Sequence, residues 1–135
     1  MLIEVSNQTV DKVNARKIKN SIRKILRLLN KNLNLSIVFV SPAVMKRINQ
    51  KWRNKNTVTD ILSFGNLSLP VKQAFDGELI LCLKQIKKQA QKIKRPQEKE
   101  LVWLLIHGIL HVLGYNHQSE KEEKRMNSLA QFIFK

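Results

Sequence analysis

Residues 101–117, Leu-Val-Trp-Leu-Leu-Ile-His-Gly-Ile-Leu-His-Val-Leu-Gly-Tyr-Asn-His, constrain the fold more than any other stretch. Leu101 to Ile106 is apolar on every side of a helix, so that helix has to be enclosed by other elements. All three histidines of the chain, His107, His111 and His117, follow within eleven residues. His107 and His111 are four apart, so on a helix they differ by about 40° of azimuth and face one side. Gly114 stands three residues later, where a glycine takes the left-handed conformation that ends a helix. That turn lets His117 come back toward the other two and supply a third nitrogen. Three neutral imidazoles with an open fourth position make a catalytic zinc site, whereas a closed structural site takes four protein ligands.

A lone histidine on an apolar helix is usually a satisfied core residue. Three at i, i+4 and i+10 with glycine at i+7 have the spacing of the metzincin zinc motif. The pattern therefore predicts one bound metal ion, and all-imidazole ligation favours zinc. One position departs from a peptidase. Zinc peptidases carry a glutamate directly after the first histidine as general base, and here that residue is Gly108.

A chain of 135 residues is long enough for one domain with a real core, and the reading takes residues 1–135 as that domain. Its 25 Lys and Arg against 10 Asp and Glu give a net charge of +15, a field that attracts polyanions. Nucleic acid fits best. A membrane does not, because the apolar run ends at His107, far short of the roughly 20 residues a span needs. Met1 to Val5 reads as a strand and not as a secretory leader. Cys82, in an apolar run, reads as an inert buried thiol, and a single cysteine suits a reducing cytoplasm.

The remaining elements read in order. Residues 2–5 form a strand, and Thr9 to Leu29 a helix with Val10, Val13, Ile18, Ile22, Ile25, Leu26 and Leu29 inward. The opposite face of that helix is basic, with Lys12, Arg16, Lys17, Lys19, Arg23, Lys24 and Arg27, a possible phosphate-binding surface. Residues 35–40 read as a strand buried on both faces. Ser41-Pro42 starts a second helix with Val44, Ile48 and Trp52 as its stripe. Residues 53–60 are loop, 61–64 a strand, and Gly65 to Gln73 a variable connection. Phe75-Asp76-Gly77 is a turn before a strand at 78–83. Lys84 to Arg95 is dense in lysine, with helical periodicity too weak to assign. Pro96, Glu98 and Glu100 open the histidine-bearing helix. Ser119 with Glu122 forms a capping box before a last helix with Met126, Leu129 and Ile133 inward.

Three blocks together resemble the YbeY family of bacterial zinc-dependent endoribonucleases, the ribosomal RNA maturation factors. Residues 107–117 are similar to the family's HGxLHLxGYDH. Ile48 to Arg53 followed by Thr59-Asp60-Ile61-Leu62-Ser63-Phe64 is similar to its LNxxYR…TDVLSF block, and Gly77-Glu78-Leu79 falls where it has Gly-Asp-Ile. The resemblance implies an α+β domain with a small mixed sheet of about four strands around a buried histidine-bearing helix. It further implies cleavage of single-stranded RNA, maturation of the 3′ end of small-subunit 16S ribosomal RNA, ribosome quality control and contact with the small subunit. The ligands carry over onto His107, His111 and His117, and the functional arginine onto Arg53. Asn116 stands in place of the motif's aspartate, and Glu78 in place of another.

In such a site a zinc ion polarises a phosphoryl oxygen, lowers the pKa of a bound water, or both. Arg53 would pair with the scissile phosphate, so the catalytic reading rests on Arg53 and His111. Asp60 and Glu78 are candidate bases by their place in the family blocks only, and either can equally be a structural hydrogen-bond partner. Two other readings compete: a non-catalytic assembly factor that binds ribosomal RNA or proteins and keeps a structural zinc, and a zinc peptidase.

Overall fold

One four-stranded sheet divides the molecule into two unequal apolar layers. The computed structural model describes residues 1–65, 74–116 and 118–135. Strands β1 (Ile3–Asn7), β2 (Leu35–Phe39), β3 (Ile61–Gly65) and β4 (Gly77–Leu81) lie in the order β1-β2-β4-β3. β1 and β4 run parallel to β2, and β3 runs antiparallel to β4 as an edge strand. Helices α1 (Ala15–Leu28), α2 (Pro42–Arg53), α3 (Leu83–Lys92), α4 (Gln97–Val112) and α5 (Glu120–Phe134) complete an α+β fold.

Strand alternation sends Leu35, Ile37, Phe39, Leu79 and Leu81 to the larger layer, where they meet Ile22 and Leu26 of α1, Leu105 and Ile109 of α4, and Met126 and Ala130 of α5. Val38, Leu62, Phe64 and Ile80 face the other way, against Met45 of α2. The helix expected to be enclosed is α4: Leu104, Leu105, Ile106, Gly108, Ile109 and Leu110 are buried, and it contacts β3, β4, α3, α1 and α5. Cys82 is fully buried at the head of α3.

Several boundaries move, each for a local reason. The first helix begins at Ala15 and not at Thr9, leaving Val10 94% exposed. Asn7 accepts from the Thr9 backbone and hydroxyl and donates to the Asp11 carbonyl, while Asp11 N donates to Thr9 Oγ1. These side-chain bonds give residues 7–11 an alternative to helix, and Asn14 then caps α1 at Lys17 N. β1 reaches Asn7 because it pairs with β2 along its whole length. α2 turns by one residue from the expected stripe: Met45 and Asn49 are buried and Trp52 is 37% exposed. β4 stops at Leu81, and the lysine-rich stretch is helix α3, which buries Ile86 and Ala90 and packs Leu83 against the same core. Of the expected connection 65–73, residues 66–73 lie outside the described residues.

Candidate active site

The last turn of α4 builds the site from its own backbone. Gly114 has φ +99° and open space around its Cα, so conformation and not crowding demands glycine there. Gly114 N donates to His111 O and Tyr115 N to Leu110 O, the paired bonds of a glycine-terminated helix. The reversal lays the Tyr115 carbonyl beside the His111 ring, 3.1 Å from Nδ1. One turn earlier the Trp103 carbonyl lies 2.8 Å from His107 Nδ1, and the Trp103 ring meets the His107 ring edge-on at 4.3 Å. A carbonyl only accepts, so each Nδ1 is a protonated nitrogen, and the neutral form of each ring would have its lone pair on Nε2. This donor chemistry fits a metal ion: two imidazoles from one helix face, each oriented by a backbone oxygen. Among the described residues no group of three or more His, Cys, Asp or Glu is placed to hold an ion. His117, the expected third ligand, lies outside the described residues.

Gly108 sits between the two histidines against the sheet. A Cβ there would lie 2.9 Å from both Ile61 Cδ1 and Leu79 Cδ2 and 3.2 Å from Ser63 Oγ. A side chain there has to push aside the terminal methyls of Ile61 and Leu79, so the position that holds a peptidase's glutamate is crowded by the sheet.

Arg53 arrives from the other side of the edge strand. It ends α2, where Asn54 takes φ 56° and turns the chain away. Arg53 Nη2 donates to Ser63 O at 3.0 Å, and the guanidinium lies 5.6 Å above the Phe64 ring, which Trp52 meets edge-on. The Ser63 bond uses one of the five guanidinium donors. The following loop is pinned from within. Asn49, 2% exposed, donates through Nδ2 to Thr57 O, and Lys55 N donates to Asn49 O.

Arg53, His107 and His111 thereby line one open cleft of about 600 Å³, together with Asn49, Lys55, Ser63, Tyr115 and Asn116. Its charged lining is cationic, Arg53 and Lys55, with no carboxylate among the described residues that line it. Neither candidate base belongs to this wall. Asp60 Oδ1 accepts from Ile61 N and Thr59 Oγ1, fastening the start of β3. Glu78 accepts from Ser36 Oγ across β2 and β4. Its neighbours Gly77 and Leu79 face α4, so Glu78 lies on the opposite side of the sheet from the histidines. Asn116 Oδ1 accepts from Gln118 N, spanning the residue between them, a bond an aspartate would make as well. Asn49, Ser63 and Tyr115 are site residues to which sequence reading gave no role; a polar residue on the inward face of α2 was the available signal for Asn49.

A family model described as endoribonuclease YbeY matches residues 3–135. The endoribonuclease YbeY of Persephonella marina is 43% identical over 121 residues, covering 87% of this chain and 79% of the relative. That of Mycoplasmopsis synoviae is 39% identical, covering 87% and 77%, and that of Phytoplasma australiense is 33% identical over 138 residues, covering 100% and 94%. The solution structure of TM1509 from Thermotoga maritima superposes with a TM-score of 0.65 over 98% of this chain and 89% of that one, at 23% identity, a likeness of fold.

Proposed function

This chain belongs to the YbeY endoribonuclease family, and on that premise we propose that it is a zinc-dependent endoribonuclease that cuts single-stranded RNA. The observation that carries the reading is the shared cleft, in which a guanidinium faces the same space as two histidines of matched tautomer. Residues 1–135 act as one hydrolase domain.

His107, His111 and His117 would hold the ion. When bound it supplies a Lewis acid for a phosphoryl oxygen and a lowered pKa for water. Arg53, steadied by Ser63 O and the Phe64 face, pairs with the scissile phosphate and with the negative charge that grows on it. Lys55 adds attraction for the neighbouring backbone. Asn49 keeps the loop wall in place, and Tyr115 offers a ring on which an unpaired base can stack. A wall whose described charges are all cationic suits a phosphodiester better than a peptide, and the crowded space at Gly108 points the same way. The substrate is the 3′ region of small-subunit 16S ribosomal RNA, met in the cytoplasm on or near the small subunit, and cutting there serves maturation and quality control.

The test is cleavage of an end-labelled unpaired RNA by zinc-loaded protein. Chelation abolishes cutting, and Arg53→Lys, which keeps the charge and loses the planar fork, slows it about 100-fold with an unchanged melting temperature. Cutting that survives both treatments contradicts the proposal.

A further inference from the structure

Helix α1 carries a feature that the cleft does not use. Its fourteen residues, Ala15–Leu28, include Arg16, Lys17, Lys19, Arg23, Lys24 and Arg27 and no acid. Arg16, Arg23 and Arg27 fall within about 40° of one another around the axis, along about 16 Å of helix. Lys17 pairs with Glu98 at 2.9 Å. Among the described residues no ion pair engages Arg16, Lys19, Arg23, Lys24 or Arg27. Lys19 with Arg23, and Arg23 with Arg27, are like charges at i, i+4, an arrangement that costs a few tenths of a kcal/mol each in an isolated helix. Solvation alone does not ask for it: α5 covers its own first two turns with Glu120, Glu122 and Glu123 interspersed with Lys121, Lys124 and Arg125.

The basic stripe leads to the cleft. α1 ends at Asn30, φ 53°, with Lys31 N donating back to Leu26 O. Lys31 then enters a hollow of about 370 Å³ shared with Arg125, Gly114, Tyr115 and Asn116, in which Glu122 is the one acid among the described residues. Gly114, Tyr115 and Asn116 also wall the cleft, so one turn of chain separates the two. The exposed face of α1 has no aromatic residue, its large apolar side chain being Leu28. A surface of guanidinium forks without a stacking ring grips phosphates and leaves bases unread.

We infer that α1, continued by Lys31 and Arg125, is a second RNA contact that holds the phosphate backbone of a paired segment adjoining the single strand in the cleft. This rests on the reading that RNA is the substrate. It adds that the preferred substrate is a helix with an unpaired tail.

The experiment compares a hairpin bearing a single-stranded tail with the tail alone, by fluorescence anisotropy for binding and by gel for cutting, using the full zinc-loaded chain. The wild-type protein binds the hairpin-tail RNA at least about tenfold tighter than the tail, and R16Q/R23Q/R27Q removes that advantage. The slope of log K against log salt on the hairpin-tail RNA falls by about 2 to 3, close to one per lost phosphate contact. Cutting of the bare tail keeps its rate, and the melting temperature holds or rises as repulsion is relieved. Should the triple variant melt early, R16Q/R27Q, at two exposed positions, gives the same comparison at a slope change of about 2. Unchanged affinity and salt slope on the hairpin-tail RNA overturn the inference, as does a loss confined to the bare tail. Failure of the endonuclease reading shows separately, as binding without cutting.

Discussion

At the scale of single residues, two glycines define what the histidines can do. Gly108 lets α4 touch β3 and β4, and Gly114 turns the chain so that a carbonyl fixes the His111 tautomer. Gly114→Ala forces a side chain into φ +99°, which costs about 1–2 kcal/mol and displaces the Tyr115 carbonyl. Zinc affinity in a competition titration then falls about tenfold, the scale of a lost orienting partner; full affinity would show that the carbonyl does not matter. Gly108→Glu sets a carboxylate against Ile61 and Leu79 and melts at least about 10 °C lower, without gaining peptidase activity. The sequence showed that a glutamate was missing at 108. It could not show why, because the contact is with residues 29 to 47 positions away in the chain.

At the scale of elements, the site lies where the edge strand β3 meets the C-terminal ends of α2 and α4. Ser63 is the hinge of this arrangement: its carbonyl takes Arg53 and its hydroxyl lies beside Gly108. Loop 54–60 depends on a buried amide, so Asn49→Ala leaves Thr57 O without that donor and costs about 1–3 kcal/mol. KM for RNA rises more than kcat falls, because the wall loosens while Arg53 and the histidines stay; an unaltered KM would detach the loop from binding. The elements themselves were legible where a continuous apolar run marked enclosure, as in α4 and β2, or a capping box preceded an apolar stripe, as in α5. Helix α1 was misplaced at its start because the Asn7 and Thr9 side chains, bonded to each other and to the Asp11 backbone, outweighed the apolar spacing of Val10 and Val13. α3 escaped assignment because its inward stripe is short, with Ile86 and Ala90 buried and Leu83 partly so.

At the scale of the whole molecule, charge and topology act together. The excess of 25 cations over 10 acids does not cover the surface evenly: it lines the cleft with Arg53 and Lys55 and covers α1 with six cations. The sheet keeps Glu78 on the far side, so the reactive space stays without a carboxylate from it. Among the described residues no helix is long and apolar enough to cross a membrane. That His107 and His111 share one face was legible because their spacing is read along a single helix. The meeting of Arg53 with that pair, across 54 residues of sequence, needed the family likeness to be expected and the fold to be seen.

The account turns on one ion held by His107, His111 and His117, and metal stoichiometry measures that directly. Elemental analysis of the purified protein and of its His107→Ala, His111→Ala and His117→Ala variants should find one zinc per wild-type chain. Each variant should lose it while remaining folded by far-UV circular dichroism. A wild-type protein without bound zinc, or three variants that all keep one equivalent, would contradict the account.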